Sequence, residues 1–309
     1  MNALQIAGYL AVVFFIVFVA AKLIKIARMP IHIRWDLYPI PHERGKGAYG
    51  GSYFEEVDWW TKPRNFSLMS ELRAMALEIF FVQSLFHHNR PLWYFSFPFH
   101  LGLYCLVAFT VLLALGAVLG IQGIEIVAGS ASFLGVAVYY LTVVLGTGGW
   151  ILGAVGAIGL LFARMFGGEL RKASVRSDYF NLIFLLAVFG AGFAAWVTVD
   201  PGYAHLRGFI QAMVTFAPAS DLPVAVGIQG WLVTALLFYF PFTHMPHVFG
   251  KYFTYHTVRW EDHPNVKGSK IEKAVTEALG YKLSWAAPHI KKGTWAEAAT
   301  DWEKHNNEQ

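Results

Sequence analysis

Five long stretches of the 309-residue chain contain no Asp, Glu, Lys or Arg and consist mainly of apolar residues. They are residues 1–21, 91–124, 126–163, 179–199 and 222–250. An α-helix that crosses a membrane needs about 20 consecutive apolar residues. Because each stretch is at least that long, the pattern predicts an all-α polytopic membrane protein built as a bundle of five transmembrane helices.

The polar segments between these stretches predict the remaining organisation. Residues 1–27 form the first transmembrane helix, 28–90 a cytoplasmic segment, 91–250 a four-helix membrane core, and 251–309 a cytoplasmic, partner-docking tail. The first half of the 28–90 segment is rich in Pro and Gly, which indicates irregular loop. A short helix is expected around 270–279.

The second half of the 28–90 segment has a helical period. Charged residues alternate there with apolar residues that recur every three or four positions from Ser67 to about Phe86. The apolar positions are Leu68, Leu72, Met75, Ile79 and Val82. This pattern predicts an amphipathic helix at the inner membrane surface. The alternative is a helix that packs on a soluble partner.

The basic residues predict the orientation of the chain. With the N-terminus outside, the inner segments 22–90, 164–178 and 251–309 hold 23 of the 24 Lys and Arg residues, and the outer loops hold only Arg207. Such an excess of positive charge marks the cytoplasmic side. The sequence pI of about 9.0 therefore needs no nucleic-acid partner.

Composition excludes several classes of protein. The chain is 56% hydrophobic and 14% charged, whereas soluble domains carry about 25% charged residues. The single Cys, Cys105, allows neither an internal disulfide nor an iron–sulfur cluster, which needs about four thiolates. No phosphate-binding glycine motif of the Walker type is present, which disfavours ATP-driven transport.

Glycines mark places where helices could approach one another. Gly146-Thr147-Gly148-Gly149 predicts either a kink or a close approach within the third transmembrane helix. The spacings Gly116/Gly120 and Gly149/Gly153 also fit close helix packing.

Three of the 12 His residues lie in the uncharged stretches: His100, His244 and His247. In the predicted topology all three fall in the inner half of the membrane, on the second and fifth helices. Polar side chains at this depth usually face the bundle interior. Two His on different helices at similar depth suit a haem iron, which takes one imidazole on each side of the ring. The alternative is a His that hydrogen-bonds a neighbour near a helix end.

Two motifs carry a family resemblance that covers about 90–250. The stretch Phe240-Pro241-Phe242-Thr243-His244-Met245-Pro246-His247 resembles the end of the fifth helix in the membrane cytochrome b subunit of respiratory nitrate reductase. Phe99-His100-Leu101-Gly102 resembles the second-helix ligand region of that family. The resemblance implies that His100 and His247 ligate the iron of one haem b on the cytoplasmic side.

The chain departs from that family at a second, outer haem. The corresponding ligand positions hold Thr110 and Gln229, which are not usual haem ligands. We therefore expect one haem, with the second uncertain and His205 as the one outer His that could serve it. His244 is expected to tune the haem through a hydrogen bond, or to replace His247 as a ligand.

The tail resembles a subgroup of the family. Ser284-Trp285-Ala286-Ala287-Pro288-His289-Ile290, followed by Thr294-Trp295-Ala296, is similar to the C-terminus of the DsrM and heterodisulfide reductase membrane-subunit group. The resemblance implies a respiratory, quinol-linked oxidoreductase subunit of the prokaryotic cytoplasmic (inner) membrane. It would exchange electrons between menaquinone and a cytoplasmic iron–sulfur subunit of a multi-subunit complex.

Other functions remain open. A haem-free membrane anchor or transporter is one alternative, although no inverted repeat is visible in the sequence. A di-haem cytochrome b of a hydrogenase or formate dehydrogenase is another, but such a protein needs four ligands. Quinol chemistry needs a proton-exchanging group, and the outer candidates are Glu125, Asp200, His205 and Asp221.

Overall fold

The secondary structure is helical. The computed structural model describes residues 1–30, 40–43, 45, 52–285 and 293–300. Within these ranges the extended pairings are two isolated bridges, Glu43 with Phe66 and Lys282 with Thr294, and no strand is formed. The predicted all-α class is therefore confirmed.

Twelve α-helices occur in the described ranges. They are α1 (Ala3–Ala27), α2 (Leu68–Phe81), α3 (Gln83–His88), α4 (Arg90–Ile121), α5 (Phe133–Phe166), α6 (Gly168–Ala173), α7 (Arg176–Thr198), α8 (Ala204–Val214), α9 (Val224–Tyr239), α10 (His247–Thr254), α11 (Lys270–Leu279) and α12 (Trp295–Thr300). Short 3-10 turns lie at Tyr53–Glu55, Trp59–Thr61 and Phe240–Phe242, and a π-helical turn lies at Tyr255–Arg259.

Five segments are long and apolar enough to cross a membrane, as the sequence predicts. They are α1, α4, α5, α7 and the segment Val224–Arg259, which contains α9 and α10. At 1.5 Å per residue, α4 and α5 are each about 50 Å long, which exceeds the roughly 30 Å hydrocarbon core of a bilayer. Insertion and orientation stay predictions from composition and charge.

The chain forms two compact units. The bundle unit comprises Met1–Val19 and Met75–Met245, and the tail unit comprises Ala20–Ala74 and Pro246–Gln309.

Backbone-to-backbone packing joins α4 to α5 in the bundle unit. A Cβ atom at Gly102 of α4 would overlap the backbone nitrogen of Gly153 and lie 3.0 Å from the carbonyl oxygen of Gly149. A Cβ atom at Gly156 would overlap the backbone of Phe99. Glycine therefore lets the two helix backbones touch. Such close van der Waals packing by small residues is typical of membrane helices, which no hydrophobic force drives together.

The glycines of α5 form a seam that continues along the helix. Gly159 faces the ring of Phe95, and at the other end Gly146 faces the ring of Phe109. Positions that rise along α5 meet positions that fall along α4, so the two helices are antiparallel. The helix assignment is continuous through the glycine run, and the close approach expected at Gly146 and Gly149 is confirmed by their contacts with α4.

Two further contacts fix α7 against α5. A Cβ atom at Gly192 of α7 would lie 2.6 Å from the Trp150 ring, and one at Gly153 would lie 2.9 Å from the Phe189 ring. Trp150 and Phe189 are 4% and 1% exposed and belong to the core cluster of the bundle unit. The small residues thus create the space that the large aromatic side chains fill.

The N-terminus of α1 is anchored through one buried amide. Gln5 is fully buried, its Nε2 donates to the carbonyl of Ala217 at 2.8 Å, and its Oε1 accepts from the backbone N–H of Ala219 at 3.1 Å. Tyr9 donates its hydroxyl to the carbonyl of Met213 at 2.6 Å. These bonds satisfy backbone groups in the last turn of α8 and in the segment that follows it.

The fifth membrane segment differs from the prediction of one helix over 223–249. α9 ends at Tyr239, a 3-10 turn follows, and α10 begins only at His247. Pro241 and Pro246 explain the break, because proline lacks an N–H and clashes with the preceding turn of a helix. The Thr243 hydroxyl donates to the carbonyl of Phe240 at 2.8 Å and accepts from the N–H of Met245 at 3.0 Å, which closes the turn.

Two links also differ from their predicted form. The expected amphipathic helix is divided into α2 and α3, because Val82 adopts a left-handed conformation with φ of 51°. The segment after Asp200-Pro201-Gly202, which the sequence predicts as a loop, contains α8. The short helix expected at 270–279 is present as α11.

We predict that Gly156→Leu disrupts the bundle. The new side chain would enter the backbone of Phe99, and overpacking of a core costs about 1–3 kcal/mol even where only side chains must move. The matched control is Gly148→Leu, since nothing lies within 4 Å of a Cβ atom there on the same helix. Thermal unfolding and size-exclusion profiles in one detergent measure the effect, and equal stability of the two variants would contradict the seam.

Candidate functional site

The orientation of the His100 imidazole is set by its own helix. Its Nδ1 lies 2.7 Å from the backbone carbonyl oxygen of Ser96, one turn earlier in α4, and 3.3 Å from the Ser96 hydroxyl. A carbonyl oxygen only accepts, so Nδ1 carries the hydrogen. In the neutral ring the lone pair is then on Nε2. This is the tautomer that a metal-ligating imidazole adopts when its other nitrogen donates to the backbone.

Aromatic side chains surround the half-buried His100. The Phe99 ring lies 5.4 Å from the imidazole at an interplanar angle of 87°, and the Tyr104 ring lies 6.5 Å away. The Tyr104 hydroxyl donates to the carbonyl of Ile79 in α2 at 2.5 Å, and the Phe80 ring packs edge-on against Tyr104. The end of α2 thus helps to enclose the His100 region within the bundle unit.

The other predicted membrane His residues flank the broken part of the fifth segment. His244 lies in the turn, 62% of its side chain is exposed, and its Nδ1 is 4.0 Å from Asp178 Oδ1. His247 is exposed and is the first residue of α10. Because Thr243–Pro246 is not helical, His244 and His247 do not lie on one continuous helix.

The predicted ligand pair falls on two units. His100 belongs to the bundle unit, and His247 belongs to the tail unit. The pairing of the two residues stays a prediction from the sequence.

The positions that would hold a second haem have no imidazole. The Thr110 hydroxyl donates to the carbonyl of Leu106 within α4 at 2.8 Å. Gln229 of α9 is 4% exposed. Their side chains offer no ligand that haem iron normally takes, and the expectation of one haem stays a prediction from the sequence.

His205 is placed by an acidic cap at the start of α8. Asp200 is 3% exposed, and its two carboxylate oxygens accept from the backbone N–H groups of His205 and Leu206 at 3.1 and 3.0 Å. A carboxylate at a helix N-terminus satisfies donors that lack an intrahelical partner. The His205 side chain is exposed, so its imidazole is open to proton exchange, whereas Asp200 is committed to the cap.

Arg207 has a structural role that the sequence pattern does not predict. It is 8% exposed, and its guanidinium donates to the carbonyls of Ile126 at 3.2 Å and Gly202 at 3.1 Å. Burial lowers the pKa of Arg207, and the negative charge of Asp200 acts against that change. The single outer basic residue of the chain therefore fastens the α4–α5 loop to the start of α8.

Tyr203 closes the same cluster from the core side. Its ring packs 4.6 Å from Phe109, and its hydroxyl lies 3.4 Å from the Thr147 hydroxyl. Burial raises the pKa of Tyr203 to about 12, so the phenol keeps its proton at neutral pH. Of the remaining outer candidates for proton exchange, Glu125 and Asp221 are exposed.

A separate group of potential metal-ligand atoms lies in the tail unit. In the described ranges, the ligand atoms of Glu261, Asp262 and His263 lie within 4.8 Å of one another. The Asp262 carboxylate is bonded to His42 at 2.9 Å and Arg64 at 3.3 Å. The trio thus belongs to an ion network.

The tail motif is described only in part. Residues 286–292 and 301–309 lie outside the described residues, and with them most of the Ser284–Ile290 stretch and His289 and His305. Trp285 and Trp295 are described, and their rings lie 6.1 Å apart.

The fold and the placed side chains define a class: an all-helical protein with five segments able to cross a membrane and an oriented imidazole on the second of them. Comparisons with protein-family models, with curated proteins and with solved structures give no match for this chain.

We predict that Asp200→Ala loosens the start of α8. Loss of a helix cap costs about 0.5–2 kcal/mol, and the buried Arg207 also loses its nearest negative charge. Hydrogen exchange of residues 200–214 should accelerate, while the exposed Asp221→Ala leaves it unchanged. Equal exchange in the two variants would show that the carboxylate does not hold the cluster.

Proposed function

We propose that the chain is a haem b membrane subunit of a respiratory complex. It exchanges electrons between menaquinol and a cytoplasmic iron–sulfur partner. The observation that supports this best is the imidazole of His100, whose Nδ1 lies 2.7 Å from the Ser96 carbonyl oxygen on a helix that is long and apolar enough to cross a membrane. The bond directs the Nε2 lone pair outward from the helix, as an axial ligand requires.

The residues present fit a haem. An axial site requires an imidazole nitrogen with a lone pair, a fixed ring orientation and apolar surroundings, and His100 has all three features. A bound haem b would supply one-electron oxidation and reduction. The Ser96 carbonyl holds the imidazole in the ligating tautomer, and the Phe99 and Tyr104 rings lie 5.4 and 6.5 Å from it.

The second axial ligand is proposed from the sequence as His247. The Pro-Phe-Thr turn before it, closed by Thr243, resembles the motif that precedes the corresponding ligand in the nitrate reductase family. His244 is the alternative ligand. One haem is proposed, because Thr110 and Gln229 occupy the positions that would otherwise ligate a second.

The proposed topology places the N-terminus outside and the tail in the cytoplasm of a prokaryotic cell, as the positive-inside distribution requires. The exposed His205 is then one outer candidate for accepting protons from quinol. Because the single Cys105 cannot hold an iron–sulfur cluster, the cluster proposed as electron partner belongs to a separate subunit.

The resemblance of the tail supports a sulfite-reductase-associated or heterodisulfide-reductase-like complex with further subunits. A haem-free anchor or transporter is the competing function. It differs in one observable property, because it would bind no pigment.

We predict about one haem per polypeptide in the purified protein, measured by pyridine haemochrome. His100→Ala and His247→Ala should each abolish binding, because each would remove an axial nitrogen. His244→Ala tests the alternative ligand, and the exposed His88→Ala is the matched control that should retain the full haem content.

The outcomes separate the proposals. Loss in His244→Ala with retention in His247→Ala would move the second ligand to His244. Two haems in the wild type would contradict the single site and make His205→Ala the next variant. A well-folded protein without haem would overturn the cytochrome function and leave the anchor or transporter.

We predict that Ser96→Ala retains the haem. The backbone carbonyl makes the short 2.7 Å contact with His100 Nδ1, whereas the hydroxyl contributes only the longer 3.3 Å contact. The haem content of Ser96→Ala should therefore match that of the wild type. The reduction potential of the haem, measured beside it, should change modestly. Complete loss of haem in Ser96→Ala would show that the hydroxyl, rather than the carbonyl, sets the tautomer.

A further inference from the structure

A buried chain of ionisable groups links three segments of the tail unit. His42 is 6% exposed, its Nδ1 lies 3.0 Å from Glu71 Oε2, and its Nε2 lies 2.9 Å from Asp262 Oδ2. His256 Nε2 lies 2.8 Å from the other Glu71 oxygen, and its Nδ1 lies 2.6 Å from the carbonyl oxygen of Tyr252. The loop at 40–43, the first turn of α2 and the segment 252–263 therefore meet at these side chains.

Each of these contacts is a hydrogen bond only if one of its two polar atoms carries a hydrogen. Both nitrogens of His42 face carboxylate oxygens, and an ionised carboxylate only accepts. A neutral imidazole has one N–H, so it would leave a nitrogen lone pair against a carboxylate lone pair. His42 can satisfy Glu71 and Asp262 together when it carries two hydrogens and a positive charge. The 40–43 loop therefore needs a proton on His42 to stay bonded both to α2 and to the segment 252–263.

The charges that face the cluster agree with this state. Glu71 and Asp262 face His42 directly, and the neutral Phe66 ring packs 4.7 Å from it. Arg64 Nη1 lies 3.3 Å from Asp262 Oδ1. Among the described residues, the other ionisable groups nearby are His256 beside Glu71, His263 at 3.9 Å from Asp262, and Glu43, whose carboxylate accepts from the Tyr53 N–H at 2.6 Å.

Burial and partners act on the pKa values in opposite directions. Burial lowers the pKa of His42, but the hydrogen bond and charge of Asp262 and the charge of Glu71 outweigh it, so the pKa lies above 6.5. Burial raises the pKa of Asp262, but the hydrogen bond and charge of His42, followed by the charge of Arg64, outweigh it, so the pKa lies below 3.8.

The sign of the pH dependence follows from these directions. The His42 contribution to stability is complete below its unfolded pKa and is lost as pH rises through the higher folded pKa. The Asp262 contribution is complete above its unfolded pKa and is lost as pH falls through the lower folded pKa. The contacts are therefore strongest at pH values between the folded pKa of Asp262 and the folded pKa of His42. Near neutral pH, the relevant change is the loss of the His42 proton as the pH rises.

We propose that His42, Glu71, Asp262 and His256 form a proton-binding site that acts as a pH-operated clasp. With the proton bound, the clasp holds the segment 252–263 against the 40–43 loop and the start of α2. Loss of the proton from His42 breaks one of its two carboxylate contacts and releases that segment. The clasp is independent of the proposed haem, since none of its residues is a proposed ligand.

The test is hydrogen exchange of peptides that cover 252–263 in the full-length protein in detergent, from about pH 6 to about pH 9, corrected for intrinsic exchange. In the wild type, protection should fall as pH rises, by roughly tenfold for each unit by which the His42 pKa exceeds its unfolded value. His42→Gln should be unprotected at every pH. The exposed His88→Gln is the control and should follow the wild type.

Asp262→Asn distinguishes a proton-operated clasp from a merely structural contact. An amide can donate to the lone pair of neutral His42, while the remaining N–H of the ring donates to Glu71, so both contacts persist without the second hydrogen. The loss of protection at alkaline pH should therefore be reduced or abolished in Asp262→Asn. Protection that does not change with pH in the wild type would overturn the proposal. An unchanged pH dependence in His42→Gln or in Asp262→Asn would also overturn it.

Discussion

The direct contact between the backbones of α4 and α5 is the constraint on which the bundle unit depends. Gly102, Gly153 and Gly156 bring the two helices together at distances that no Cβ atom would allow. That approach fixes the antiparallel register, and the register determines which side chains face α7. Phe189 of α7 packs against Gly153 of the seam, and Trp150 of α5 packs against Gly192 of α7, so α5 also organises the third helix of the core.

The candidate ligand lies on α4 next to residues of this seam. His100 is held by the Ser96 carbonyl of its own helix, while Phe99 and Gly102, one and two positions away, pack on α5. The side of α4 that binds α5 therefore fixes the rotation of the helix and, with it, the direction in which the imidazole extends. A ligand needs this rigidity, because an axial nitrogen must be held in place before the metal binds.

Ionisable groups lie at buried positions in both units, and each is explained by its partners. Asp200 and Arg207 hold the start of α8 in the bundle unit. His42 and Asp262 hold the tail unit, where the number of available hydrogens decides which contacts can form. A buried charge persists only when it is paired or hydrogen-bonded. In this chain such groups therefore fasten loops that have too few apolar residues to pack by themselves.

The sequence by itself determined the all-α class, the five apolar segments, α11 and the candidate His100, because uncharged windows and a polar residue at membrane depth are local properties of the chain. It did not reveal the break at Pro246, the Val82 division or α8, since each depends on how neighbouring segments satisfy the backbone. Nor could it show that Arg207 bonds Ile126, or that His42 meets Glu71 and Asp262. Only the tertiary structure decided these contacts, because their partners are 29 to 220 residues apart and no pattern of spacing encodes such distances.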